Sequence, residues 1–306
     1  MHGVLHTRRT FLKLAGATVI TGAGLTSYAF GIEPRFRLVT TFYRLTPPGW
    51  PAGAKRLRVA VVADIHACEP WMPLSRVEQI VEVTNRLEPD LICLLGDYVP
   101  GMRHFRTGIV PPPEWAKALA DLSAPLGVFA VLGNHDWWND VDAVRAAFAV
   151  NKIPLLENDA GLIQPKEAPP FWLAGLGDQM ARIQTPNGSR GADDLPGTLA
   201  PVKDDTNPVI LLAHEPDIFP EVPDRVSLTI CGHTHGGQVS LPFIGRPIAP
   251  SRYGERYAYG HIVEDGRHLI VSGGLGCLGI PVRFGVPPEI VVIDIGELSG
   301  GGSVAI

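Results

Sequence analysis

The 306-residue chain contains no Cys-x-x-Cys pair and no His-Glu-x-x-His run. Those absences disfavour a zinc–thiolate knuckle and a zincin-type metalloprotease. No run of lysine and arginine follows the N-terminus, and the net charge of −5 gives no general attraction to nucleic acid. Internal repeats and low-complexity tracts are missing as well. Charged residues make up only 19% of the chain against 45% apolar, which allows a sizeable core and argues against disorder. The uncharged apolar stretch from Leu14 to Phe30 is only 17 residues, the short edge of what crosses a bilayer. Cysteine is scarce: Cys68, Cys93, Cys231 and Cys277 are the complete set. Cys93, in "LICLL", reads as a buried small hydrophobe. A disulfide among the other three stays open.

Glycine (34) and proline (29) are frequent, so many turns around strands are expected. The first thirty residues form a separate object. Arg8, Arg9 and Lys13 precede the uncharged stretch, which is the shape of an export signal. "TRRTFLK" resembles the twin-arginine signal at every position, which implies passage through the twin-arginine export machinery to an extracytoplasmic place, with release or membrane tethering both open. Residues 31–55 read as a connector or first edge strand. Residues 56–306 show no composition break and read as one domain.

Within that domain "RLRVAVVAD", "LICLLGDYV" and "GVFAVLGNHDWW" read as buried strands with exit loops. "LSRVEQIVEVTNRL" and "PPEWAKALADLSA" have helical spacing, and "DVDAVRAAFAVN" is expected to be a helix capped by Asp140. Strand–helix alternation predicts parallel βαβ units. The second half, with "FWLAGLGD", "PVILLAHEPD", "VSLTICGHTHGGQVSL" and "PEIVVIDI", reads as further strands of a second sheet.

Polar residues gather where these strands end. Asp64 and His66 follow the first, Asp97 the second, and Asn134, His135 and Asp136 the third. His214 follows "VILLA", and His233 and His235 follow "VSLTIC". Strand carboxyl ends form the ligand crevice in open α/β sheets. Two histidines at i and i+2 on an extended segment point to one side, an arrangement that suits metal binding.

The ordered series "DIH", "GDYV", "GNHD", "AHEPD" and "GHTHGGQ" resembles the calcineurin-like metallophosphoesterases, over residues 57 to 295. "LPFIGRPIAPSRYGERYAYGH" and "GGLGCLGIPVRFGVPPEIVV" are similar to an exported bacterial phosphodiesterase branch of that superfamily. The resemblance implies a four-layer α/β/β/α sandwich with two mixed sheets and two divalent metal ions, for which oxygen and nitrogen ligands suit Mn, Fe or Zn. It implies that Asp64, His66 and His235 hold the first ion, that Asn134, His214 and His233 hold the second, and that Asp97 bridges them. It places His135 at the leaving-group oxygen. Asp136 next to it reads either as the carboxylate that orients that histidine or as a helix-start carboxylate.

No arginine follows the bridging aspartate in "GDYVPG", which weakens a phosphoprotein-phosphatase reading and leaves Arg252 and Arg283 as candidate phosphate contacts. Apolar residues crowd the same loops: Trp71, Met72 and Pro73, Trp137 and Trp138, and Leu241–Gly245. A rim of that kind fits a part-apolar, part-anionic substrate such as a phospholipid. The leading expectation is therefore a phosphodiesterase. The alternatives are a pyrophosphatase or phosphomonoesterase with the same site, and an inactive metal-binding protein.

Overall fold

Leu57–Val62 is apolar but for Arg58 and rich in valine, and in the computed structural model it is a strand with residues on both faces buried. Residues 8–102, 105–203 and 206–296 are described. Thr7, the side chains of Arg8 and Arg9, and residues 297–306 lie outside the described residues. Val59 and Val61 enter one apolar layer while Ala60 and Val62 enter another, because successive side chains of a strand alternate.

The main strands in chain order are β1 (Val39–Leu45), β2 (Leu57–Val62), β3 (Leu91–Leu95), β4 (Val128–Val131), β5 (Asp159–Ile163) and β6 (Phe171–Gly175). They continue with β7 (Val209–Leu212), β8 (Leu228–Cys231), β9 (Gly260–Glu264), β10 (Arg267–Val271) and β11 (Glu289–Ile295). One sheet orders as β1-β11-β2-β3-β4 and the other as β9-β10-β8-β7-β6-β5. Both are mixed. β2, β3 and β4 run parallel while β11 opposes β2, and in the second sheet β6, β7, β8 and β10 run parallel between antiparallel edges β5 and β9.

Helices α1 (Arg8–Ser27), α2 (Leu74–Arg86), α3 (Pro112–Leu119) and α4 (Asn134–Val150) are the long ones. Val77 and Ile80 of α2, Trp115 of α3 and Phe148 of α4 pack on Ala60, Val62, Ile92 and Leu94. The two sheets meet through Val59, Val61, Cys93 and Ile293 against Phe171, Leu173, Ile210 and Ile230. Beyond the second sheet, among the described residues, lie short helical turns, including Pro216–Glu221, Gly254–Tyr257 and Leu195–Leu199, whose Ile218, Phe219 and Tyr257 cover Val209, Leu211 and Leu269. The architecture is the expected α/β/β/α sandwich, with a thin fourth layer. Burying each large apolar side chain in these layers is worth about 1.5–3 kcal/mol.

Two local expectations change. The segment after β4 is not a loop: α4 begins at Asn134, breaks at Asp140 (φ −153, ψ 85), and restarts where Asp140 Oδ1 accepts the Ala143 N–H at 3.0 Å. All four cysteines are buried free thiols, which closes the disulfide question. Among the described residues no helix is long and apolar enough to cross a membrane.

Candidate metal centre

β2, β3 and β4 of one sheet and β7 and β8 of the other deliver Asp64, His66, Asp97, Asn134, His214, His233 and His235 to one crevice. Five of the seven have left-handed backbone: Asp64 (φ 54), His66 (φ 47), Asp97 (φ 57), His233 (φ 68) and His235 (φ 52). Such conformations cost of order 1–3 kcal/mol each and persist only where the surroundings over-determine them. Here the surroundings do. The His233 N–H donates to Asp64 Oδ1 at 2.9 Å, the His135 N–H to Asp97 Oδ1 at 2.8 Å, and the His66 N–H to the Asp97 carbonyl at 2.9 Å. Gly133 is required by the same crowding, because a Cβ there would collide with Asp97 Oδ1 and lie 2.7 Å from His214 Cε1.

The side chains fall into two groups of converging ligand atoms: Asp64, His66 and His235, and Asp97, His214 and His233, every one of them buried. Asp97 Oδ2 lies 3.5 Å from His66 Nε2 and 3.3 Å from His214 Nε2, so one carboxylate oxygen stands between the groups. Asn134 Oδ1 is buried and accepts no hydrogen bond from any described donor, the state expected of an oxygen that waits for a cation. Two carbonyls fix the ring protons. His66 Nδ1 donates to Val99 O at 2.8 Å and His214 Nδ1 to Leu95 O at 2.6 Å, which leaves each Nε2 turned inward. This carboxylate, amide and imidazole set, without thiolate, fits two divalent ions of the Mn, Fe or Zn type.

His233 and His235 do not sit side by side on an extended segment. They flank a tight turn through Thr234, so His235 Nε2 comes within 3.1 Å of His66 Nε2 and His233 Nδ1 within 3.3 Å of His214 Nε2. The turn separates the two rings between the two groups.

Electrostatics match a centre built for cations. Burial, with help from the Asp97 charge, pushes the Asp64 carboxyl up to about 7. Burial raises Asp97 too, but the imidazoles of His214, His135 and His66 outweigh it and hold that carboxyl well below the usual range. Burial lowers His214, yet the Asp97 charge and hydrogen bond overcome it and hold the imidazolium well above its ordinary range. Asp97 and His214 therefore favour each other's charged forms. His235 is held well below the usual range by burial, the His66 ring and Arg283.

His135 is buried, with its ring centroid 5.1 Å from that of His66 and 5.0 Å from that of Trp138, and Asn139 Nδ2 donates to its carbonyl at 2.8 Å. Asp136 does not orient it. The Asp136 Oδ2 accepts the N–H groups of Gly133 and Asp97 at 2.9 Å, and Oδ1 accepts that of Tyr98 at 2.9 Å. It ties the β3 and β4 exit loops together, through bonds worth about 1.5–3 kcal/mol each.

Neither expected phosphate-binding arginine is free for that task. Arg283 is fully buried and donates to the carbonyls of Gly276, Gly273 and Val286, with Nη2 at 3.2 Å from His235 Nδ1. Arg252 is exposed and pairs with Asp217 at 3.3 Å. Trp137 packs against the helical core under Arg145 instead of forming a rim, and Met72 is buried. Trp138 is half-buried against His135, donates to Met180 O at 2.7 Å and carries Arg182 on its face. Of the Leu241–Gly245 loop, Phe243 and Ile244 are exposed. One pair went unread in the sequence: Asp178 and Glu215 converge with His214 within 4.8 Å. The strand-end positions of Asp178 in "GLGD" and Glu215 in "AHEPD" were the available signal.

The family model for calcineurin-like phosphoesterases matches residues 57–237, more than half of the chain. The chain belongs to the calcineurin-like phosphoesterase family. It is a metal-dependent phosphoester hydrolase, and the metallophosphoesterase YkuE of Bacillus subtilis is 30% identical to it over 297 residues, covering 94% of this chain and 97% of YkuE. The Escherichia coli protein called phosphodiesterase YaeI is 29% identical over 297 residues, covering 94% of this phosphoesterase and 98% of YaeI. A metallophosphoesterase of Aquifex aeolicus is 32% identical over 259 residues, covering 83% and 90%.

Proposed function

We propose that this phosphoesterase hydrolyses phosphodiesters at a dinuclear centre, held by Asp64, His66 and His235 on one side and Asn134, His214 and His233 on the other. The observation that carries the reading is Asp97 Oδ2, placed within 3.5 Å of a ring nitrogen from each group. Two divalent ions held in these donor sets would supply Lewis-acid stabilisation of phosphoryl charge and a more acidic water. The chain's own residues do the rest. His135 is anchored by its N–H to Asp97 and by its carbonyl to Asn139, so its ring stays beside the first group, where it hands a proton to the leaving oxygen.

Charge favours a diester over a monoester. A monoester carries up to two negative charges and benefits from an arginine, yet Arg283 is committed to backbone carbonyls and Arg252 to Asp217. The name of YaeI points the same way. A cavity of about 720 Å³, lined by the apolar Val99, Met102, Phe105 and Ile109 and also by Arg106, Thr107, Asn139 and Asp140, begins at Val99. Val99 is also the residue whose carbonyl holds His66, so the cavity begins two residues past Asp97. An amphipathic diester, including a phospholipid, would lay its apolar part there.

One panel tests both parts. Manganese-reconstituted protein should cleave bis(p-nitrophenyl) phosphate with kcat/KM at least about tenfold above p-nitrophenyl phosphate, and a lipid diester above a soluble diester with the same headgroup. Phe105→Ser with Ile109→Ser should remove the lipid preference and leave the aryl ratio. A monoester or pyrophosphate preference would establish the alternative enzyme, and a lipid preference untouched by the double substitution would refute the cavity.

The twin-arginine reading is likewise our proposal, motivated by "TRRTFLK". Arg8→Lys with Arg9→Lys should strand the protein in the cytoplasm. Fractionation that finds it exported as in wild type would overturn that route.

A further inference from the structure

The dinuclear reading leaves a buried acid pair unused. Asp178 lies three residues past β6, Glu215 follows His214 directly, and the two residues are 0% and 2% exposed. Each has one oxygen engaged: Asp178 Oδ1 accepts the Met180 N–H at 2.9 Å, and Glu215 Oε2 accepts the Gln179 N–H at 3.1 Å. The other two oxygens, Asp178 Oδ2 and Glu215 Oε1, receive no hydrogen bond from any described donor. Unpaired acceptors at that depth are costly unless a cation or a proton meets them.

Their placement points toward the second donor group. One oxygen from each acid and a ring nitrogen of His214 lie within 4.8 Å of one another. The Nδ1 of that ring is committed to Leu95 O at 2.6 Å, which leaves Nε2 as its nitrogen available to a cation. The same Nε2 lies 3.3 Å from Asp97 Oδ2 and 3.3 Å from His233 Nδ1. The acid pair and the second donor group therefore converge on one point.

We propose that the Asp178–Glu215 pair belongs to the second metal site and supplies it with a carboxylate ligand beyond Asp97, Asn134, His214 and His233. The inference rests on the dinuclear reading above. An added carboxylate makes that site harder than the first and biases it toward ions such as Mn²⁺.

Asp178→Asn and Glu215→Gln test it cleanly. Each amide keeps the oxygen that accepts Gln179 or Met180, and each offers an N–H to the partner acid. The metal-free variants should therefore fold, with Tm unchanged or raised by about 2–4 °C. Calorimetric titration with Mn²⁺ should show one of two ions bound about 10–100-fold more weakly. In a His66→Ala chain, which retains the second group, Asp178→Asn should weaken the remaining ion. In an Asn134→Ala chain, which retains the first, it should change nothing. Wild-type Mn²⁺ affinities in both amide variants would overturn the proposal and leave a structural pair sharing a proton. Wild type that takes up fewer than two ions would overturn the dinuclear reading itself, and this inference with it.

Discussion

Asp97→Asn is expected to lower kcat/KM on an aryl diester by about 10³-fold or more, because one oxygen serves both halves of the centre. Asn is the informative replacement. It keeps an oxygen to accept the His135 N–H, now 2.8 Å from Asp97 Oδ1, so the exit loops of β3 and β4 stay in place. It removes the negative charge that stands 3.5 Å and 3.3 Å from the ring nitrogens of His66 and His214. Without that charge His214 loses the main influence that raises its pKa. Circular dichroism should show a folded chain, which separates lost chemistry from lost structure. Near wild-type turnover by a folded Asp97→Asn protein would mean that Asp97 does not bridge.

The second large effect belongs to His135. It sits in the same crevice but in neither converging group, and its N–H donates to Asp97 Oδ1. His135→Ala should keep both metal equivalents and lose about 10²–10⁴-fold in kcat, the usual range for a positioned general acid. The loss should shrink for a diester whose leaving group needs no proton, such as p-nitrophenolate, and grow for an alkyl leaving group. An equal loss on both would remove the proton-donor role. Loss of a metal ion would instead move His135 into the ligand set.

Much of this arrangement was legible in the sequence because it rests on residue type and order. β2 could be read because a run apolar on both faces has few other uses, and the crevice could be read because imidazoles and carboxylates recur at strand ends. What escaped depends on where backbone groups arrive in space. Asp136 follows His135 in the chain, yet its oxygens meet N–H groups of Gly133, Asp97 and Tyr98, which only the packing of β3 beside β4 brings there. Arg283 was expected at the substrate because free arginines bind phosphate. It is instead consumed by carbonyls of Gly273, Gly276 and Val286, a pocket formed by loop closure. The two histidines of "GHTHGG" were expected on an extended segment, but left-handed backbone at both turns them apart. Trp137 follows the site in sequence and still faces the helical core, since α4 begins at Asn134 rather than after the tryptophans. Asp178 and Glu215 lie 37 positions apart and meet only because β6 and β7 pair in parallel.

The measurement that bears most directly on the central claim is the metal content per chain, by elemental analysis, of wild type and Asp97→Asn matured in the same cells. Two transition-metal equivalents in wild type, with both diminished in Asp97→Asn, is the predicted result. A single equivalent or none in active wild type, or two retained in full by Asp97→Asn, would contradict a dinuclear centre bridged by Asp97.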